Sequence, residues 1–157
     1  PVYLRFARAG SPVFTKTDAP FEIGKAIVLK EGSDVTLVAC GPMVYEALKA
    51  SDMLESKGIS CEVINMHTIK PLDERTLLNS VSKTHVVVTL EEHQRSGGLG
   101  SAVVEVLGEK LPVPVRRLGI DDVYGESGEP EELLEHFGLT AEHVADSVRT
   151  FVTELTK

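Results

Sequence analysis

Tryptophan is absent from the 157-residue chain, aromatic residues make up 5% of it, and cysteine occurs twice. Cys40 and Cys61 cannot build a disulfide framework, and neither has the CxxC or CxxH neighbour of a zinc site. Both lie in apolar, strand-like runs, where a thiol behaves as a small hydrophobe, so we expect two reduced, buried cysteines and a cytoplasmic protein. No apolar run approaches the length of a membrane span, and no signal-peptide pattern is present. A Gly-Lys-Ser/Thr phosphate loop and a Gly-x-Ser-x-Gly nucleophile elbow are missing as well. The first residue is proline rather than methionine, and the expectation is a processed or excised piece of a longer polypeptide.

What is present suits one domain with a real core: 42% hydrophobic and 25% charged residues. The formal charge is −8, from 16 basic and 24 acidic side chains. Much of the excess sits in Asp121, Asp122, Glu126, Glu129, Glu131, Glu132 and Glu135. Such a surface repels phosphate backbones and anionic lipid, which argues against nucleic acid and membrane as partners. No tight ligand spacing occurs there, so the acids read as a solvated face and no metal site is assigned.

Pro1 to Arg8 alternates as a strand does and ends at Ala9-Gly10-Ser11-Pro12. Residues 13–24 hold Pro20 and Gly24 and no periodicity, and read as a linker. Regular patterning starts at Gly24. Ala26–Leu29 and Val35–Cys40 are short strands joined by Glu31-Gly32-Ser33-Asp34, close enough to be a hairpin pair. A helix carries Val44, Ala47, Leu48 and Leu54, and Cys61–Met66 is the next strand. Pro71-Leu72-Asp73-Glu74 opens a helix with Leu77, Leu78 and Val81 on one face. His85–Leu90 is a nearly all-apolar strand, and Gly97-Gly98-Leu99-Gly100 leads into a helix with Ala102, Val103, Val106 and Leu107. Pro114 places the final strand, Val113–Leu118, near an edge. Two helices close the chain, about 130–137 and 141–155, with Ser127 and Thr140 as candidate caps. Strands alternating with helices predict an α/β fold: a three-layer α/β/α sandwich with about five strands, mostly parallel, one antiparallel.

In open α/β sheets, ligands sit beyond the carboxyl ends of the strands. The turns there bring His67, Lys70, Glu91, Glu92, His93 and Arg95 toward one rim, and His67, Glu91, Glu92 and His93 are the candidate crevice residues. A carboxylate beside an imidazole can do acid–base work; polar residues also gather at any strand-to-helix turn because backbone groups there need partners. The glycine run Gly97–Gly100 fits a dinucleotide fingerprint poorly, since Val103 stands where a small residue is required. Tight turning and close helix packing account for it better.

Four stretches together resemble one superfamily. Val35–Leu48 resembles the strand and helix that open the C-terminal domain of transketolases. Cys61–Asp73, with its Thr-Ile-Lys-Pro-Leu-Asp turn, resembles their next strand. Glu91–Ala102 is similar to their Glu-Glu-His…Gly-Gly-Leu-Gly loop, and Tyr124–Leu133 to a late segment of the domain. The likeness runs through nearly the whole chain from Gly24. 1-deoxy-D-xylulose-5-phosphate synthases and the beta subunits of 2-oxo-acid dehydrogenases share this domain, so a non-catalytic assembly or regulatory module of such an enzyme is the alternative.

The resemblance implies a division at residues 1–23, the end of a pyrimidine-binding domain plus linker, and 24–157, the C-terminal domain. It implies a parent that moves a two-carbon ketol unit between sugar phosphates with thiamine diphosphate and Mg. Nothing in this chain matches the family's Gly-Asp-Gly…Asn metal motif, so no cofactor is expected on this segment alone, and no catalytic residue is assigned to it. Arg8 matches the arginine that binds the sugar phosphate, although Ala9 stands where the family often has glutamine. The partners implied are a second copy, as a homodimer, and the domains or subunit carrying the thiamine-diphosphate site.

Overall fold

The structure, a computed structural model, describes residues 1–7 and 10–155. Arg8 lies outside the described residues. Five strands form one sheet: β1 (Ile27–Lys30), β2 (Val35–Ala39), β3 (Cys61–Asn65), β4 (Val87–Gln94) and β5 (Val115–Ile120). Between and after them run α1 (Met43–Glu55), α2 (Glu74–Thr84), α3 (Leu99–Lys110), α4 (Pro130–His136) and α5 (Ala141–Leu155). The order across the sheet is β1-β3-β2-β4-β5, with β1 antiparallel to β3 and every other pair parallel. The expected sheet of five strands with one antiparallel member is present, and β5 lies at an edge.

Strand alternation sends side chains to two helical layers. Val35, Leu37, Ala39, Val63, Val88 and Leu90 pack with Met43, Ala47 and Leu54 of α1 and Val144 and Val148 of α5. Val38, Ile64 and Val87 pack on the other face against Leu77 and Val81 of α2 and Val103 and Leu107 of α3. Each of these side chains is fully or almost fully buried, worth roughly 1.5–3 kcal/mol per large aliphatic group. The buried polar Thr36 is satisfied in the second layer, 2.7 Å from both Ser80 Oγ and Thr84 Oγ1 of α2.

Several local expectations are corrected. β1 and β2 are not a hairpin pair, because both ladder edges of β2 are taken by β3 and β4. The link from β1 to β2 instead crosses the start of β3. There a Cβ on Gly32 would lie 2.2 Å from the Cys61 carbonyl carbon, so only glycine lets the two backbones pass. Asp34 Oδ2 fixes the crossing by accepting the Ser60 N–H at 2.7 Å. Pro1–Ala7 forms no strand: Val2, Tyr3, Leu4 and Phe6 are exposed, Tyr3 at 88%, and an alternating pattern without a ladder partner has nothing to hold it extended. β4 runs on to Gln94, so Glu91 and His93 are strand residues. The second helix begins at Glu74, with Asp73 as its N-cap and Pro71 before it. Glu129, not Ser127, caps α4, in a reciprocal capping box with Glu132.

Candidate functional site

The carboxyl ends of β2, β3 and β4 form the rim. On β4, Val88 and Leu90 face α1, so Thr89 and Glu91 face α3. Glu91 is 1% exposed, and its carboxylate accepts the Leu99 N–H at Oε2 and the Gly100 N–H at Oε1, both at 2.8 Å. These are orphan donors of the first turn of α3, and a carboxylate there also meets the positive end of the helix dipole. The glycines make room for it. A Cβ on Gly98 would sit 1.9 Å from Glu91 Oε2, and one on Gly100 2.7 Å from Thr89 Oγ1, while Gly97 takes a φ of 80°. The run is built for close approach, and the Leu99 and Gly100 N–H groups that a phosphate would need are already bound by Glu91.

His93 Nδ1 lies 3.9 Å from Glu91 Oε2 and 2.8 Å from the Gln94 carbonyl oxygen, with the ring half exposed. Glu92 is exposed; its carbonyl oxygen accepts from the Arg5 guanidinium at 3.2 Å. Arg95 pairs with Asp121, and Arg117 donates to the Arg95 carbonyl at 2.9 Å.

His67 belongs to a different cluster. Its ring stacks on Phe21 with centroids 4.5 Å apart, and Nδ1 lies 3.1 Å from Thr68 Oγ1. Thr68 Oγ1 also accepts the Gly24 N–H at 3.1 Å. Nε2 is buried and has no hydrogen-bond partner. Burial holds the His67 pKa below the usual histidine value.

Asp73 completes this cluster. It accepts the Ala26 N–H at 2.9 Å, the Thr76 N–H at 3.1 Å and the Thr76 hydroxyl at 2.7 Å. Burial pushes its carboxyl up, but the Ala26 and Thr76 donors and the Lys25 charge outweigh that and hold it below the usual carboxylate range. The Thr-Ile-Lys-Pro-Leu-Asp turn is therefore a clamp on the chain entering β1. Sequence reading missed that role, because neither Gly24 nor Ala26 carries a side chain that signals it.

The cysteines are free. Burial, aided by the Glu91 charge and opposed by Arg5, pushes the Cys40 thiol up to about 11. Burial, opposed by Lys30, pushes Cys61 up to about 12. Both stay protonated at neutral pH and make poor nucleophiles. Among the described residues, no three His, Cys, Asp or Glu side chains group to hold a metal ion, and no helix is long and apolar enough to cross a membrane.

Comparison with known proteins meets this geometry. The chain is similar to a 6-deoxy-6-sulfo-D-fructose transketolase subunit of Clostridium sp. (strain MSTE9), 49% identical over 144 residues, 92% of this chain and 45% of that protein. It is 42% identical over 153 residues to an apulose-4-phosphate transketolase subunit of Phocaeicola vulgatus, covering 97% of this chain and 49% of the relative. A split-gene transketolase solved as an inactive beta4 tetramer superposes with a TM-score of 0.89 at 49% identity, over 93% of this chain and 48% of that one. The chain thus spans about half the length of the curated relatives it matches. The family model described as "Transketolase, C-terminal domain" matches residues 24–144, from the glycine gripped by Thr68 into α5. The chain belongs to the transketolase C-terminal domain family.

Proposed function

We propose that this chain is the C-terminal part of a transketolase-type enzyme that transfers a two-carbon ketol unit between sugar phosphates. Its work is assembly and completion of the substrate channel. Residues 1–23 are the end of a pyrimidine-binding domain and its linker, and residues 24–157 form the C-terminal domain. Thiamine diphosphate and Mg belong to the complementary polypeptide region, which supplies the carbanion chemistry. Arg8 is proposed to meet the substrate phosphate, where a guanidinium matches the oxygens bidentately. The relatives' names point to sugars carrying an anionic group, a sulfonate in one and a phosphate in the other.

The observation that carries this reading is the use of Glu91. The carboxylate best placed at the strand-end rim is buried and bound to the start of α3, so it stiffens a scaffold and is not free to move protons. The experiment fuses this chain to the N-terminal half of the matching subunit of a split relative, mixes the fusion with that relative's other subunit and follows ketol transfer. Turnover is expected in the mixture and not from the chain alone. Turnover by the isolated chain, or its binding thiamine diphosphate with Mg at about micromolar strength, overturns the proposal. In the active mixture, Arg8→Ala is expected to raise KM for phosphorylated sugars about ten- to a hundred-fold, the worth of one charge-assisted contact. An equal rise for unphosphorylated analogues would make the residue structural.

A further inference from the structure

β5 is an edge strand, so the layer beneath α3 is open on that side. Side chains alternate along β5. Arg116 faces α5, where it meets Glu154 and the Phe151 ring, whereas Val115 and Arg117 face α3. Between these two residues and α3 lies an open cavity of about 520 Å³, the size of a small-molecule site, with Val104, Val113 and Val115 in its walls. Gly108 of α3 lines it as well. Glycine inside a helix weakens it relative to alanine, and no close packing asks for one here: a Cβ on Gly108 would meet no heavy atom within 4 Å. Its effect is to keep that wall of the cavity clear.

Two opposite charges line this cavity without ionic partners among the described residues. Arg117 Nη1 donates to the Arg95 carbonyl at 2.9 Å and to Ser101 Oγ at 3.3 Å. No described carboxylate pairs with this guanidinium, and its Nε and Nη2 hydrogens meet no described acceptor; neighbouring Arg95 is already taken by Asp121. Glu105 is exposed in the cavity wall and pairs with no described cation. Ser101 and Glu105 stand one turn apart on α3, about 5–6 Å between Cβ atoms. The two charges are therefore near enough for one small ligand to reach both, yet they do not pair with each other. We propose that the cavity binds a small α-amino acid with an apolar side chain. Its carboxylate takes the Nε–Nη2 edge of Arg117, two parallel donors that match it bidentately. Its ammonium meets Glu105, and its side chain covers Val104, Val113 and Val115. A simple acid would be repelled by Glu105, and a simple amine by Arg117. A zwitterion answers both. The inference does not rest on the ketol-transfer reading.

The test titrates the isotope-labelled whole chain with L-leucine and follows its backbone amide shifts. Saturable shifts are expected along α3 and β5, with a dissociation constant on the order of 1 mM because the site is open to solvent. Isocaproate, which is leucine without its amine, and isoamylamine, which is leucine without its carboxylate, should each bind about ten-fold more weakly or worse. Glu105→Gln should weaken leucine about ten-fold and remove its advantage over isocaproate. Arg117→Lys keeps the charge but loses the fork, and should also weaken leucine. Gly108→Ala should weaken leucine by narrowing the cavity while raising thermal stability, a combination that a merely structural glycine would not give. Glu105 and Gly108 are exposed, so both variants are expected to fold, as an otherwise unchanged amide spectrum would show. Shifts that do not saturate, that lie outside α3 and β5, or that are as strong for isocaproate as for leucine would overturn the inference. So would a leucine affinity left unchanged by Glu105→Gln or by Gly108→Ala.

Discussion

Asp73 and Glu91 are both buried carboxylates that cap the helix after a strand, yet they reach their N–H groups by different routes. Asp73 occupies the N-cap position of α2, accepts the Thr76 N–H at Oδ1, and accepts both the Thr76 hydroxyl and the Ala26 N–H of the entering chain at Oδ2. Glu91 stands on β4 and reaches Leu99 and Gly100 across a gap that exists because residue 98 lacks a Cβ. The same need, orphan donors at the start of a packed helix, is met locally in one turn and across the fold in the other. A local cap can also serve as a clamp. A distant cap depends on every residue that shapes its path.

The largest effect should come from breaking the distant cap. Glu91→Ala strands two buried N–H groups and is expected to cost about 3–5 kcal/mol in urea unfolding. Gly98→Ala should cost a similar amount by driving the carboxylate off α3. If both act through one carboxylate, the double variant falls well short of the sum of the singles; additive losses would separate them.

Asp73→Ala is expected to cost less, about 2–3 kcal/mol, since Thr76 lies nearer solvent and capping losses are typically smaller. Its distinguishing mark is faster amide exchange at Ala26, at the entry to β1. Glu91→Ala should leave that amide protected, and a matching acceleration there would erase the difference between the turns.

A third outcome concerns acid. The folded Asp73 carboxyl lies below its ordinary range, so its contribution is complete above that range and is lost as pH falls through the folded value. Asp73→Asn, which still caps well, should flatten the acid limb of the stability profile while changing neutral stability by only about 1 kcal/mol. An unchanged acid limb would show that the Ala26 and Thr76 donors do not favour the ionised form.

The smallest effect is at His67. Its folded pKa is depressed, so the neutral ring favours the fold and that contribution is also lost as pH falls. Ring-proton NMR should find His67 titrating below an ordinary histidine, and Phe21→Ala should move it back toward the usual value by opening the stack. A His67 that titrates as an ordinary histidine in both proteins would mean the ring is not sheltered.

Period and punctuation made the elements legible. The nearly all-apolar run His85–Leu90, the short strand-like runs at β2 and β3, the helical spacing of Leu77 and Val81, and Pro114 before an edge strand are local signals, and they predicted the layered sheet. Strand pairing was not legible. Val35–Ala39 follows β1 after four residues, as a hairpin partner would, but which strands flank it depends on two buried faces being filled at once.

The candidate rim divides along the same line. Residue order was enough to place Glu91, His93 and His67 at strand ends and to mark Gly97 to Gly100 as a run that permits close packing. It took the folded layers to give Glu91 to α3, to cover His67 with Phe21, and to route one chain across another at Gly32. A residue type reports which groups it can donate, accept or accommodate. Which group arrives opposite is settled by the assembled layers, because hydrogen bonds and van der Waals contacts act over a few ångströms in space whatever the separation along the chain.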